Sequence, residues 1–185
     1  MALVVAGGIG FFIWQTFFTV KPFDGPLKIT HDLSQGCSDA RRYFPSAAAY
    51  SGSAPHPIAI FRDGDGSGGQ EDEVVPSGLA DDSYQTTDPG KVQLIACLGG
   101  ASNGTRIGDC DFSGSDTLPL YRGEYDAVLY EAKTGKKVAE AHLEGSESKS
   151  DCPYSLYTQG SPDLHTSPDS VAIQRAFGPY VESAH

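Results

Sequence analysis

The stretch EYDAVLYEAKTGKKVAEAHL, residues 124–143, decides how this chain folds. The arms, residues 124–132 and 138–143, have the apolar and aromatic composition of strands, and the second can return as the partner of the first. Between the arms, Lys-Thr-Gly-Lys at positions 133–136 has the composition of a turn, and Gly135 supplies the backbone freedom that a tight turn needs. The sequence therefore predicts a β-hairpin over residues 124–143.

Working outward from the hairpin, other apolar runs predict more strands. They cover residues 27–30, 58–61, 92–98, 118–120 and 152–158. The run VQLIACL at 92–98 is apolar nearly throughout, which indicates a strand buried on both faces. Residues 99–108 contain Asn103-Gly104, a pair that favours tight turns, and are predicted to form a loop.

Two short helices are predicted beside these strands. The first covers residues 38–44 and ends at Pro45, because proline cannot continue a helix. The second begins near Ser167 as N-cap, with Pro168 and Asp169 suited to its first turn. Its apolar face carries Ile173, Phe177 and Val181, and the pair at 178–179, Gly-Pro, is expected to break or kink it.

These elements predict a mainly-β domain over residues 27–185, a β-rich α+β fold. We expect an antiparallel sheet or a small sandwich, with the two short helices packed on it and two disulfides that cross-link it. A domain of this length is large enough to bury a substantial core.

Residues 1–20 contain no charged side chain and are apolar almost throughout. About 20 residues in a helix cover the roughly 30 Å hydrocarbon core of a bilayer. A signal peptide would have a basic first region and an Ala-x-Ala-like cleavage site, and neither is present. A buried core helix is the other alternative, but the aromatic residues cluster in the second half, as they do near a membrane interface. The sequence predicts a single transmembrane helix.

Residues 21–26 (KPFDGP) are predicted to be a linker that holds the domain near the bilayer. Within the span, Gly7, Gly8 and Gly10 form a small-residue face on which another helix can pack closely. Lys21, Lys28, Arg41 and Arg42 follow the span, and this distribution favours a cytoplasmic domain. The cysteines favour the opposite side. We expect that a natural basic N-terminal segment is missing, and that the domain is extracytoplasmic.

The chain has four cysteines, Cys37, Cys97, Cys110 and Cys152, and no C-x-x-C pair. Zinc sites usually draw their ligands from such close pairs, so disulfides in an oxidising compartment are the better interpretation. Four cysteines allow three pairings. We favour Cys97–Cys110, whose segments are expected to be neighbours across a short loop, which leaves Cys37–Cys152.

The formal net charge of −11 falls entirely on the residues after the span. A strongly acidic surface repels nucleic acid and raises the local concentration of cations. Nucleic-acid binding is therefore not expected.

An acidic, glycine-rich stretch follows the strand at 58–61. Carboxylates that alternate along a turn supply the oxygen ligands that Ca²⁺ requires. The candidate ligands are Asp63, Asp65, Ser67, Glu71 and Glu73. The opening resembles an EF-hand loop, but Val74 occupies the twelfth position and no amphipathic helix flanks the stretch. Either a looser calcium loop or a solvated acidic loop fits the pattern, and no other cofactor is expected.

Several short motifs together resemble a group of uncharacterised actinobacterial single-span membrane-anchored extracytoplasmic proteins. The motifs are AAY at 48–50, PHPI at 55–58, VQLIAC at 92–97, Cys110, the tyrosines 121, 125 and 130 with EAKTG at 131–135, and Cys152-Pro153. The resemblance covers most of the domain. It implies a location and disulfides, but no activity.

The function predicted from the sequence is that of a non-enzymatic, membrane-tethered extracytoplasmic accessory or interaction subunit of an envelope or membrane protein assembly. Its partners would be other membrane or envelope proteins and the lipid bilayer. The alternative is a calcium- or ligand-binding sensor that uses residues 63–73. A hydrolase is a third class, and it requires an acid–base or nucleophile pair that converges from distant residues.

Overall fold

The computed structural model describes residues 20–38, 40–62, 72–74, 78–79, 82–112, 117–149, 152 and 163–184. The predicted membrane span lies outside these residues, except for Val20. Within the part of the chain that is described, no helix is long and apolar enough to cross a membrane.

The strands are β1 (Lys21–Pro22), β2 (Arg42–Tyr43), β3 (Ile58–Arg62), β4 (Asp72–Glu73), β5 (Leu94–Leu98), β6 (Ser102–Asp111), β7 (Thr117–Glu131), β8 (Lys137–Glu144) and β9 (Leu164–Thr166). The described helices are two 3-10 helices, Thr30–Gly36 and Pro89–Lys91, and one α-helix, α1 (Ser170–Val181). The hairpin predicted at 124–143 is confirmed as the second half of β7 followed by β8, with Gly135 at φ +67° in the turn.

The long strand β7 carries the seven-stranded sheet. On one of its edges β6 pairs with residues 117–124 and β5 pairs with residues 127–131, so β5 and β6 lie end to end. The other edge carries β9 and then β8. β3 pairs with the outer edge of β5, and β4 pairs with β3.

The sheet is mixed, because β3 runs parallel to β5 and β9 runs parallel to β7. The mainly-β class with short helices and two disulfides is confirmed. The predicted antiparallel sheet is confirmed only in part, because four of the six strand pairs described in this sheet are antiparallel and two are parallel. Alternation in single strands cannot reveal that distant strands pair in parallel.

The centre of the sheet is covered on both faces, which explains why β3 and β5 are apolar without alternation. One face packs against α1, whose Ile173, Phe177 and Val181 are almost completely buried, as predicted. The opposite face packs against the first 3-10 helix through Leu33 and against Phe44.

The α-helix begins two residues later than predicted. Asp169, rather than Ser167, is the N-cap, and its carboxylate accepts a hydrogen bond of 2.8 Å from the Ala172 N–H. Pro179 lies in the last turn of the helix, and the helix continues to Val181 instead of breaking at residue 178.

Three local predictions are wrong. Residues 27–30 are not a strand, and the first 3-10 helix begins at Thr30. The predicted helix at 38–44 contains β2. The predicted loop at 99–108 mostly forms β6, a polar strand whose glycines and register shifts resemble a loop in the sequence.

The segment predicted as a linker, residues 21–26, opens with β1, which pairs in parallel with β2.

All four cysteines form disulfides, as predicted, but the pairing differs. Cys37 is bonded to Cys97 and Cys110 to Cys152, with Cα–Cα distances of 5.3 and 5.6 Å. Cys97 lies opposite Val128 on β7, and Cys110 lies opposite Leu118. These positions on one edge are about 33 Å apart at 3.3 Å per residue, far beyond disulfide reach. The favoured Cys97–Cys110 pairing is therefore impossible in this sheet, and Cys37–Cys152 falls with it.

Candidate functional site

The surface where the apolar N-terminal run meets the domain is built from β1, β2 and the turn between β7 and β8, residues 132–136. We call it the tether-proximal surface, after the membrane tether that the sequence predicts. Its first component is the pairing of Lys21 with Arg42 and of Pro22 with Tyr43. The Phe23 N–H extends this pairing by donating a 2.8 Å hydrogen bond to the Tyr43 carbonyl oxygen. The chain is thus attached to the domain immediately after Val20.

The hairpin turn closes the second side of this surface. The Phe44 N–H donates a 2.8 Å hydrogen bond to the Ala132 carbonyl oxygen, which ties β2 to the turn. A Cβ atom at Gly135 would lie 3.1 Å from the Tyr43 Cβ and 3.2 Å from the Val20 Cγ1. Only glycine therefore fits the turn this closely, and Val20 lies directly against it.

Arg41 fixes the turn from the other side. Its Nη2 donates a 3.0 Å hydrogen bond to the Gly135 carbonyl oxygen. Its guanidinium carbon lies 3.7 Å from the centroid of the Tyr130 ring, a cation–π geometry. Phe23 adds an aromatic contact beneath, with its ring centroid 5.4 Å from that of Phe44. The surface is consequently held by backbone hydrogen bonds, a stacked arginine and buried aromatic rings.

Of the five candidate calcium ligands, four lie outside the described residues: Asp63, Asp65, Ser67 and Glu71. Glu73 is exposed on β4, opposite Phe61 of β3. The Arg62–Asp72 pair holds the two ends of the intervening stretch on adjacent strands. No group of three or more potential metal ligands occurs among the described residues.

Glu73 also lines an open depression of about 450 Å³ beside the start of the first 3-10 helix. His31 and the hydroxyl-bearing Thr30, Thr86 and Thr87 line it as well. Thr30 Oγ1 donates a 3.2 Å hydrogen bond to the Thr86 carbonyl oxygen, which joins the two sides of the depression. The depression offers one carboxylate and one imidazole.

A polar cluster not predicted from the sequence lies on the far half of β7. The Asn103 Nδ2 donates a 2.6 Å hydrogen bond to Asp163, and its Oδ1 contacts the His165 Nε2. The His165 ring lies 6.4 Å from that of Tyr121, centroid to centroid. Burial lowers the pKa of His165 below its usual value of 6.5. The bridging amide keeps the imidazole and the carboxylate apart, so they do not form a direct acid–base pair.

One histidine does contact a carboxylate directly. His142 Nδ1 lies 3.0 Å from Asp126 Oδ1 across the β7–β8 pair, and this hydrogen bond raises the pKa of His142 above 6.5. The two side chains are 53% and 95% exposed. Such exposure favours a solvated surface pair over a desolvated catalytic one.

The remaining predicted site residues, Gly7, Gly8 and Gly10, lie outside the described residues. The features that sequence reasoning missed share one property: they join segments far apart in the chain. Tyr130 shows alternation as a strand residue, but nothing near it in the sequence indicates that Arg41 stacks on it. The polar cluster likewise joins Asn103 on β6 to His165 on β9.

The comparisons with known proteins found no match: no family model fits the chain, and neither a curated protein nor a solved structure is detectably similar to it.

Proposed function

We propose that this protein is a non-enzymatic, membrane-tethered extracytoplasmic accessory or interaction subunit of an envelope or membrane protein assembly. The observation that carries the proposal is the attachment of the chain at Val20 to the domain. The residues after the apolar run enter β1 at once and pair with β2. A run long enough to span a bilayer is thereby joined to the domain without a free spacer.

The disulfides support an extracytoplasmic location. Both join segments of one domain, with sequence separations of 60 and 42 residues, and no described cysteine is free. Stable disulfides of this kind form in oxidising compartments and are rare in the cytosol. They outweigh the basic residues that follow the apolar run.

Partner binding is tested by purifying the full chain from its native membrane in mild detergent and identifying co-purifying proteins by mass spectrometry. We expect a stoichiometric membrane or envelope protein. Replacing Gly7, Gly8 and Gly10 with Leu should remove it, because bulky side chains prevent close helix packing. Val4→Leu with Val5→Leu is the control within the same apolar run. A monodisperse monomer without any partner contradicts the proposal.

The side of the membrane has its own test. Protease added to the outside of intact spheroplasts should digest the domain, while a cytoplasmic marker stays whole. Digestion only after lysis would place the domain in the cytoplasm and overturn the extracytoplasmic assignment.

A calcium- or ligand-binding sensor is the second candidate function. It is favoured by the β3–β4 pairing, which holds both ends of the acidic stretch on adjacent strands. Calorimetry with Ca²⁺ on the full chain in detergent should show binding that is lost in the Asp63→Asn, Asp65→Asn variant. Absence of both heat and a melting shift at about millimolar Ca²⁺, the affinity range of weak extracellular sites, removes this candidate.

A further inference from the structure

The positive charges of this acidic protein are not spread evenly. The chain has 13 lysine and arginine residues and a formal net charge of −11. Six of the 13 lie on or beside the tether-proximal surface: Lys21, Arg41, Arg42, Lys133, Lys136 and Lys137. The acidic average of the chain therefore conceals a basic region at the point where the apolar run joins the domain.

Two separate parts of the chain bring these charges together. Lys21 and Arg42 are direct partners in the parallel β1–β2 pair, so their side chains leave the same face. The turn at residues 132–136 contacts both Val20 and Tyr43 at Gly135, and adds Lys133 and Lys136, with Lys137 directly after it. The hydrogen bond from Arg41 to the Gly135 carbonyl oxygen locks the two parts together.

Much of this positive charge is available to a ligand. Within the described part of the chain, Lys21, Arg42 and Lys133 form no ion pair. Lys136 pairs with Glu131 at 3.7 Å, and Lys137 pairs with Glu140. The side chains of Lys136 and Lys137 are 74% and 50% exposed, so both ammonium groups are accessible from solvent, while Glu131 is 18% exposed.

We infer that the tether-proximal surface binds the anionic phospholipid headgroups of the membrane that anchors the chain. The inference rests on the proposed membrane tether and adds a second, electrostatic contact to it. Lys21 is the first residue after the uncharged run, so the basic region starts within about 8 Å, one Debye length, of the headgroups. The covalent continuity with the apolar run favours lipid over any soluble polyanion.

This contact accounts for a conflict in the sequence. Basic residues after a span usually lie on the cytoplasmic side, whereas the disulfides favour the opposite side. Of the four basic residues that follow the apolar run, Lys21, Arg41 and Arg42 belong to one surface that forms only when β1 pairs with β2 and Arg41 bonds to the distant hairpin turn. They act as a folded lipid-binding surface rather than as a topology signal.

The test compares amine reactivity in two lipid environments. The full chain is placed in nanodiscs of phosphatidylcholine alone or with about 30% phosphatidylglycerol, a content that gives a strongly negative surface. Brief acylation and mass spectrometry then report each lysine. We expect the labelling of Lys133 and Lys137 to fall about fivefold in anionic discs, and to recover at about 0.5 M salt, where the Debye length shrinks to a few ångströms. Equal labelling in both lipids overturns the inference.

Lys149 is the internal control. It lies against Gly108 on β6, about 40 Å from the hairpin turn along β7 at 3.3 Å per residue, and its labelling should not depend on lipid charge. A matched pair of double variants completes the test. Lys133→Gln with Lys137→Gln should abolish the lipid-dependent protection of Lys21, whereas Arg106→Gln with Lys149→Gln, which removes the same charge elsewhere, should not. Equal effects of the two variants contradict a local surface.

The experiment distinguishes failure of the proposed membrane tether from failure of the proposed lipid-binding surface. If the chain does not enter neutral discs, the proposed membrane tether is wrong. The lipid-binding surface is then tested separately, by comparing the fraction of the chain that floats with anionic vesicles and with neutral vesicles. If the chain enters neutral discs but its lysines are equally reactive in both lipids, the tether stands and the surface is wrong.

Discussion

Both halves of β7 are paired with a strand on each edge, but their surroundings differ. Residues 125–131 have β5 on one edge and β8 on the other, and α1 covers one of their faces, so Tyr125 and Leu129 are 1% exposed. Residues 117–124 have β6 and β9 on their edges, and among the described residues they share a smaller cluster in which Leu118, Leu120 and Leu164 are 6%, 0% and 9% exposed. Hydrogen bonding makes both halves a sheet, but within the described part of the chain the larger buried cluster belongs to the half that α1 covers. The second disulfide stands in the half with the smaller core.

Truncating one buried side chain that packs against each half of β7 should give the largest difference in the free energy of unfolding. Phe177→Ala empties the space between α1 and the well-covered half, and should lower the free energy of unfolding by about 3–5 kcal/mol. Leu118→Ala in the smaller cluster should cost about 2–3 kcal/mol, since its surroundings relax more easily. Denaturant unfolding measures both, with the exposed Val171→Ala as control. Equal losses at the two positions would contradict the comparison.

Removing each disulfide tests whether the two halves of β7 unfold independently of each other. By loop-closure entropy, replacing either pair of cysteines with serines should cost about 2–4 kcal/mol. The two variants should differ in which strands lose protection from amide hydrogen exchange. Without Cys110–Cys152, amide hydrogen exchange should rise in β6 and β9 while β5 stays protected, because the far cluster is small. Without Cys37–Cys97, protection should fall throughout the domain. A uniform loss in both variants would show that the halves unfold as one unit.

Gly145 joins the two halves, and a side chain there should separate them. A Cβ atom at this position would lie 2.3 Å from both the carbonyl oxygen and the Oγ1 of Thr166. Gly145→Ala must displace β9, and we expect a cost of about 1–3 kcal/mol. Gly100→Ala is the matched control, because no atom lies within 4 Å of its added Cβ. A neutral Gly145→Ala in a thermal melt would mean that β9 is loosely held.

The smallest expected effect is the titration of one histidine in each half. The hydrogen bond to Asp126 raises the pKa of His142, whereas burial lowers the pKa of His165. Stability from His142 is therefore present below its unfolded pKa and lost as pH rises through its folded pKa. His165 has the opposite sign, and costs stability as pH falls through its unfolded pKa.

NMR titration of the two imidazoles checks this prediction. Their midpoints should lie on opposite sides of 6.5, the usual histidine value. Asp126→Asn should return the His142 midpoint towards that value and leave His165 unchanged. Identical midpoints in the unsubstituted protein would mean that neither contact persists in solution.

Local patterns predicted the local parts of this fold. The hairpin, the apolar strands at 58–61 and 92–98 and the buried face of α1 follow from periodicity and turn chemistry, which act within a few residues. The parallel β3–β5 pair and the disulfide pairing depend on which distant segments meet, and neither leaves a local mark. β6 was missed because it is polar on both faces. The basic region depends in the same way on distant segments, since β1 and the turn at residues 132–136 come together only through folding.

The disulfide pattern has a consequence for biogenesis. Cys37 is bonded to the next cysteine in the sequence, and Cys110 to the one that follows it, so the two covalent loops neither cross nor nest. A chain is synthesised from its N-terminus, and in that order each cysteine pair is complete before the next begins to emerge. An oxidant that simply joins cysteines as they appear gives the native isomer, and no disulfide isomerase is required to correct it.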